Sequence, residues 1–242
     1  MHFTTDSKTP CNFTDANFDS FIQKTMKRLL LLTFLLLGAG RVLAQDEYYD
    51  QRCSLFEVLP IRSSDIVFLG SSITDGGEWA ELFNNRHVKN RGISADRSGW
   101  LLDRLDPIIN GHPKKLFLMI GTNDLAVGIT PEEVAANVEK LLDRFAEESP
   151  WTKIYVQSIL PVNGVDTKAK PKNHWKKGAE IIETNKLLET LCEGRKNVMY
   201  VDVYSALVDE KGMLDKQYTN DGLHLMGEGY LAWKTVIEKF VR

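Results

Sequence analysis

Cysteine is scarce, with three residues among 242, so a disulfide-rich mini-scaffold is excluded. An excess of one charge is also lacking: 30 Lys and Arg stand against 33 Asp and Glu, a net charge of −3. No basic surplus asks for nucleic acid, and no acidic tail asks for a basic partner. There is no internal repeat and no low-complexity tract. Hydrophobic residues make up 43% and charged residues 26%, an ordinary globular mix that excludes disorder, collagen and coiled coil for the chain as a whole. The one strongly apolar run, Leu29 to Leu37, falls short of the about 20 residues a membrane-spanning helix needs.

That run belongs to a leader-like segment. Met26 is followed by Lys27 and Arg28, then by the apolar run, then by the breakers Gly38, Ala39 and Gly40. Val42-Leu43-Ala44 places short side chains at −3 and −1 before Gln45. Positive region, apolar region and small-residue site in this order form a secretory signal peptide. The expected organisation is an upstream extension over 1–25 with translation starting at Met26, a signal peptide over 26–44, and a single domain over 45–242. The mature protein is expected to be periplasmic or secreted, with no stable membrane insertion after cleavage. Cys11 lies in the extension; Cys53 and Cys192 could pair in an oxidising compartment, but a sequence supplies no distance between them.

The remaining chain alternates two kinds of pattern. Asp65 to Gly70, Lys115 to Gly121, Lys153 to Leu160 and Val198 to Tyr204 are short apolar runs of the kind found in buried strands, and His87 to Gly92 is a weaker one. Between them lie helical patterns. Thr130-Pro131-Glu132-Glu133 reads as a capping box with Pro at the first helical position, followed by Val134, Val138, Leu141, Leu142 and Phe145 on one face. A second helix is expected from about Gly178 to Cys192, and a third carries Tyr230, Trp233, Ile237 and Phe240. This alternation predicts an α/β fold with a parallel sheet covered on both faces. Such sheets bind ligands beyond the C-terminal ends of their strands.

Polar clusters stand at those ends. In Gly70-Ser71-Ser72-Ile73-Thr74 a serine can present its hydroxyl above the sheet, with a backbone N–H and the helix N-terminus beside it; either serine could equally cap the helix. The stretch is not the Gly-x-Ser-x-Gly elbow, because position 74 is Thr. Asp221 and His224, three apart, can meet so that the carboxylate fixes the ring tautomer. They could also form a surface turn, and a metal reading lacks further ligands at suitable spacing. Asn123, in Gly121-Thr122-Asn123-Asp124, can donate to an oxyanion or cap a helix. Gly92, after Asn90-Arg91, offers a backbone N–H or simply ends a strand.

Taken in order, Ser72, Gly92, Asn123 and Asp221 with His224 resemble the signature blocks of the SGNH (GDSL-type) esterase/lipase superfamily. The resemblance spans about Asp65 to Val241. It is strongest to the branch of platelet-activating-factor acetylhydrolase-like proteins and bacterial acetyl esterases. It implies a three-layer α/β/α sandwich on a five-stranded parallel sheet, flavodoxin-like in layout. It also implies Ser72 as nucleophile, His224 as base and Asp221 as its orienting acid. The oxyanion hole would consist of the Ser72 and Gly92 N–H groups and the Asn123 side chain, and no cofactor or metal would be needed. One departure is Ser71, where the family often has Asp.

For the substrate, no long apolar insertion is present to cover a fatty chain. Trp79 and Trp175 could stack on a sugar ring or could be ordinary packing. Lys168, Lys170, Lys172, Lys176 and Lys177 crowd the loop 162–177, as an anion-attracting patch or a solvated face. The expectation is a short-chain, O-acetyl ester on carbohydrate as the small-molecule or glycan partner. A lysophospholipase or thioesterase is the alternative enzyme, and a non-catalytic binding module on the same fold is the alternative class. Oligomeric state is left open.

Overall fold

In a computed structural model of the chain, residues 47–164 and 173–242 are described. The proposed extension, the signal segment and Lys168, Lys170 and Lys172 lie outside the described residues. The fold is that of the compact unit Tyr49–Arg242. Residues 47–58 are helical (α1). Five strands follow the apolar runs: β1 (Ile66–Gly70), β2 (Val88–Gly92), β3 (Lys115–Met119), β4 (Lys153–Gln157) and β5 (Val198–Val201). They form one sheet in the order β2-β1-β3-β4-β5, every pair parallel. The order reverses direction at β1, so the crevice beyond the ends of β1, β2 and β3 is where a ligand site is expected in such a sheet.

The helices are α2 (Ser72–Asp75), α3 (Trp79–Leu82), α4 (Ser98–Asp103), α5 (Asp106–Ile109), α6 (Thr122–Val127), α7 (Pro131–Glu148), α8 (Gly178–Cys192) and α9 (Gly227–Val241). β1 and β3 are buried along their whole length, as central parallel strands must be when helices cover both faces. Alternate residues point to opposite faces. Phe68, Phe117 and Tyr155 are in register on β1, β3 and β4 and stack across the strands with ring centroids 4.8 and 4.7 Å apart. Trp79 of α3 stacks on Phe68 at 4.4 Å, Trp233 of α9 meets Trp79 edge-on at 4.7 Å, and Phe240 of α9 packs on Tyr155. The other face carries Val67, Leu69, Leu116 and Leu118, all buried. Besides Pro131 in its first turn, α7 buries Val134, Val138, Leu141, Leu142 and Phe145, the periodic stripe read from the sequence. Thr130 caps α7, its Oγ1 accepting the Glu133 N–H at 3.3 Å, an interaction worth about 1 kcal/mol.

One candidate is corrected and one open point is decided. The aromatic cluster absorbs Trp79: it is 1% exposed and its Nε1 donates to Thr74 O at 2.8 Å, so it belongs to the core and offers no ring face to a sugar. Cys53 and Cys192 are free thiols. Cys192 is buried at the end of α8, where burial pushes its pKa up to about 11.

Candidate active site

The first polar cluster sits where β1 gives way to α2. Ser71 is buried in an extended conformation, while Ser72 is half-buried and opens α2. Between the two serines, burial and partner single out Ser72: its Oγ lies 3.0 Å from His224 Nε2. α2 is a single turn, so any stabilisation of charge here rests on individual N–H donors rather than on a helix dipole.

His224 arrives from a tight loop before α9. Thr219 Oγ1 accepts the N–H groups of Asp221 and Gly222, and Gly222 takes the left-handed backbone conformation, φ 81°, that glycine adopts without strain. Gly222 O accepts the Asn163 N–H at 2.8 Å, which ties the loop to the segment leaving β4. Within it, Asp221 Oδ1 accepts the N–H groups of Leu223 and His224 at 2.9 and 2.8 Å, leaving Oδ2 to meet His224 Nδ1 at 2.6 Å. Partial burial opposes ionisation of Asp221. Its hydrogen bonds from the His224 ring and from the two N–H groups together outweigh that and hold the carboxyl below its ordinary value.

The sequence expectation for Gly92 needs correcting. Its N–H donates to Asn90 Oδ1 at 2.8 Å, at the last residue of β2. The missing side chain matters instead: a Cβ here would stand 2.2 Å from Asp75 N and 2.6 Å from Asp75 Cα, so glycine lets β2 touch the backbone of α2. The chain then makes a turn from Ile93 to Asp96, closed by the Asp96 N–H to Ile93 O. Ile93 N donates to Gly70 O, which sets this turn beside the end of β1. Ala95, in the third position, has φ 64°. A four-residue turn uses only its fourth N–H, so its closing bond leaves the Ala95 N–H unused.

Asn123 lies in the first turn of α6, and its Nδ2 donates to Asp96 O at 2.9 Å. Two buried carboxylates support this arrangement. Asp96 is fully buried and takes Arg104 Nε and Nη2 at 2.8 and 2.6 Å; the same guanidinium donates to the carbonyls of Arg91 and Gly70. Asp124, also fully buried, accepts the Ser98 N–H and Oγ–H, which fastens α4 to α6. Burial pushes both carboxyls up, against the pull of Arg104 on one and of Ser98 on the other. The sequence reading singled out neither Asp96 nor Arg104, because nothing in a lone Asp and a lone Arg eight residues apart marks them as buried partners.

Trp175 lies half-buried in the 3-10 turn His174–Lys176, and its ring packs against Gly164, where a Cβ would come within 2.6 Å of it. Its neighbour His174 places Nε2 3.0 Å from Asn123 Oδ1, so this loop reaches the site. Of the loop lysines within the described residues, Lys177 pairs with Glu180 at 2.9 Å and Lys176 lies over the Trp175 ring at 5.3 Å. The structure thus brings Ser72, His224 and Asp221 into one relay and joins Asn123 to the neighbouring turn. Trp79 is removed to the core.

Comparison with known proteins gives the family. Residues 68–232 match the GDSL-like Lipase/Acylhydrolase family. The chain belongs to that family. Human platelet-activating factor acetylhydrolase IB subunit alpha2 is 30% identical over 175 residues, which cover 70% of this chain and 72% of that protein. The chicken protein of the same name is 28% identical over 199 residues, covering 80% and 82%. A solved structure from Streptococcus pneumoniae, provisionally described as a platelet activating factor, superposes with a TM-score of 0.76 at 30% identity. It covers 88% of this chain and 99% of that one. The α/β sandwich is the fold of this acylhydrolase, and the protein is a carboxylic ester hydrolase.

Proposed function

We propose that this acylhydrolase is a serine esterase for short acyl groups, O-acetyl above all, carried on carbohydrate. The observation behind the mechanism is the relay Ser72 Oγ, His224 Nε2, His224 Nδ1, Asp221 Oδ2, with links of 3.0 and 2.6 Å. Asp221 keeps the proton on Nδ1, so Nε2 is the acceptor that takes the Ser72 proton as Oγ attacks the ester carbonyl. The tetrahedral oxyanion is received by the Ser72 N–H, by the Ala95 N–H in place of that of Gly92, and by the second hydrogen of Asn123 Nδ2. Each donor is worth on the order of 3 kcal/mol of barrier. The protonated His224 gives its proton to the leaving alcohol. Water, deprotonated by the same ring, then releases the acid and restores Ser72.

The preference for acetyl is supported by two relatives named as acetylhydrolases. The carbohydrate assignment rests on Trp175, whose loop reaches Asn123 through His174. The leader pattern over 26–44 fits an exported enzyme that trims acetylated glycans. A lysophospholipase- or thioesterase-type lipid acylhydrolase is the second reading, favoured by the platelet-activating factor named in those relatives. Hydrolysis of nitrophenyl esters of increasing chain length, run beside a panel of acetylated sugars and a lysophospholipid, separates the two. The proposal expects kcat/KM to fall beyond short acyl chains and acetate to be released from at least one sugar. Preference for long chains or for the lysophospholipid overturns it.

A further inference from the structure

We propose that His174 is a positioning residue that locks the Asn123 side-chain amide in the orientation an oxyanion donor needs. The inference rests on the oxyanion role of Asn123 given above and adds to it a residue from a separate loop, 51 positions away.

The hydrogen-bond network fixes every atom. Asp96 O is a carbonyl and only accepts, so the Asn123 atom 2.9 Å from it must be Nδ2. Oδ1 then faces the other way, toward His174 Nε2 at 3.0 Å. An amide oxygen only accepts, so Nε2 carries a proton. Nδ2 has two hydrogens; one is spent on Asp96 O and the other is left for substrate.

An Asn amide held at one end only turns readily about its last torsion, which has a broad, two-fold profile. With Asp96 O at one end and His174 Nε2 at the other, the plane is fixed. A donor to Oδ1 also polarises the amide and strengthens the remaining Nδ2–H as a donor. The His174 ring is itself seated: the 3-10 turn that carries it is closed by the Lys177 N–H to His174 O at 2.9 Å, and the adjacent Trp175 lies against Gly164. The contact therefore couples the loop after β4 to the oxyanion side of the site, not to the nucleophile side.

The test is steady-state hydrolysis of p-nitrophenyl acetate by the parent, His174→Leu, His174→Gln, Asn123→Ala and the His174→Leu/Asn123→Ala double variant. Asn123→Ala should lose about 10²-fold or more in kcat. His174→Leu should lose about tenfold in kcat with KM little changed, because the amide acts on the transition state. His174→Gln, which keeps an N–H donor at similar reach, should recover most of that loss. In the double variant, His174→Leu should add less than about twofold, since it acts through the Asn123 amide. Losses that multiply in the double variant, a change confined to KM, or no recovery by Gln overturns the positioning role and leaves the oxyanion role of Asn123 standing. An unchanged kcat in Asn123→Ala overturns both.

Discussion

Replacing Asp221 by Asn changes one atom and should nearly silence the enzyme. The reason is read from the loop. Asp221 Oδ1 accepts two backbone N–H groups, from Leu223 and His224, at 2.9 and 2.8 Å. An amide nitrogen cannot accept, so the new side chain must keep its oxygen on that side. Its NH2 is then forced toward His224 Nδ1, 2.6 Å from the present Oδ2. A donor there makes Nδ1 the acceptor and moves the ring proton to Nε2, which faces Ser72 Oγ and can no longer take its hydrogen. The variant keeps the fold and the site's shape but holds the wrong tautomer and no longer stabilises the imidazolium. In a comparable triad this change costs about 10⁴ in kcat. At about 1.36 kcal/mol per factor of ten, that is about 5.4 kcal/mol of barrier. The assay is steady-state hydrolysis of p-nitrophenyl acetate near neutral pH, with KM expected to stay within about twofold. Because its hydrogen bonds hold Asp221 below its ordinary carboxyl value, the tautomer lock in the parent is complete at neutral pH. Protonating Asp221 therefore takes a pH below the ordinary carboxyl range. A kcat for Asp221→Asn within about tenfold of the parent would mean that Asp221 does not set the His224 tautomer.

Further outcomes follow from the supporting structure. Gly92→Ala keeps its N–H but drives a Cβ into the Asp75 backbone; it should cost about 1–3 kcal/mol in urea denaturation and displace α2, lowering activity together with stability. Full stability with activity retained would show that β2 and α2 do not need this close approach. Arg104→Leu strands the buried Asp96 carboxylate and should cost about 3–5 kcal/mol. Burial already raises Asp96, so without Arg104 the folded state holds its proton more strongly than the unfolded chain does. Stability then falls as pH rises past the ordinary carboxyl range, and the deficit measured by denaturation should widen toward neutral pH. For export, N-terminal mass analysis of the secreted protein should find Gln45 first; a mass retaining residues 26–44 would mean an uncleaved anchor.

The sequence was informative where one residue's neighbours in the chain decide its role. The five strands and the three long helices carry their own periodicity, and α8 runs from Gly178 to Cys192 as the pattern predicts. Asp221 and His224 meet inside a four-residue loop, so their pairing is nearly local. The misreadings turn on side-chain contacts. Trp79 lies near the nucleophile in sequence, but the sheet's aromatic stack claims it. The N–H of Gly92 is taken by Asn90 two residues away, a side-chain bond that no motif encodes. The one-turn helices α2, α3 and α5 are too short for a hydrophobic period to register. His174 meets Asn123 across 51 residues, and Arg104 reaches Asp96 and two strand ends at once; such contacts exist only once the sheet has assembled.

The mechanism requires Ser72 to be the nucleophile, and a fluorophosphonate probe reports this directly. Intact-protein mass should show one adduct per chain, and peptide mapping should place it on Ser72. Ser71→Ala should label as the parent does, and Ser72→Ala should not label at all. An adduct on Ser71, or undiminished labelling of Ser72→Ala, would contradict the relay from which the mechanism is derived.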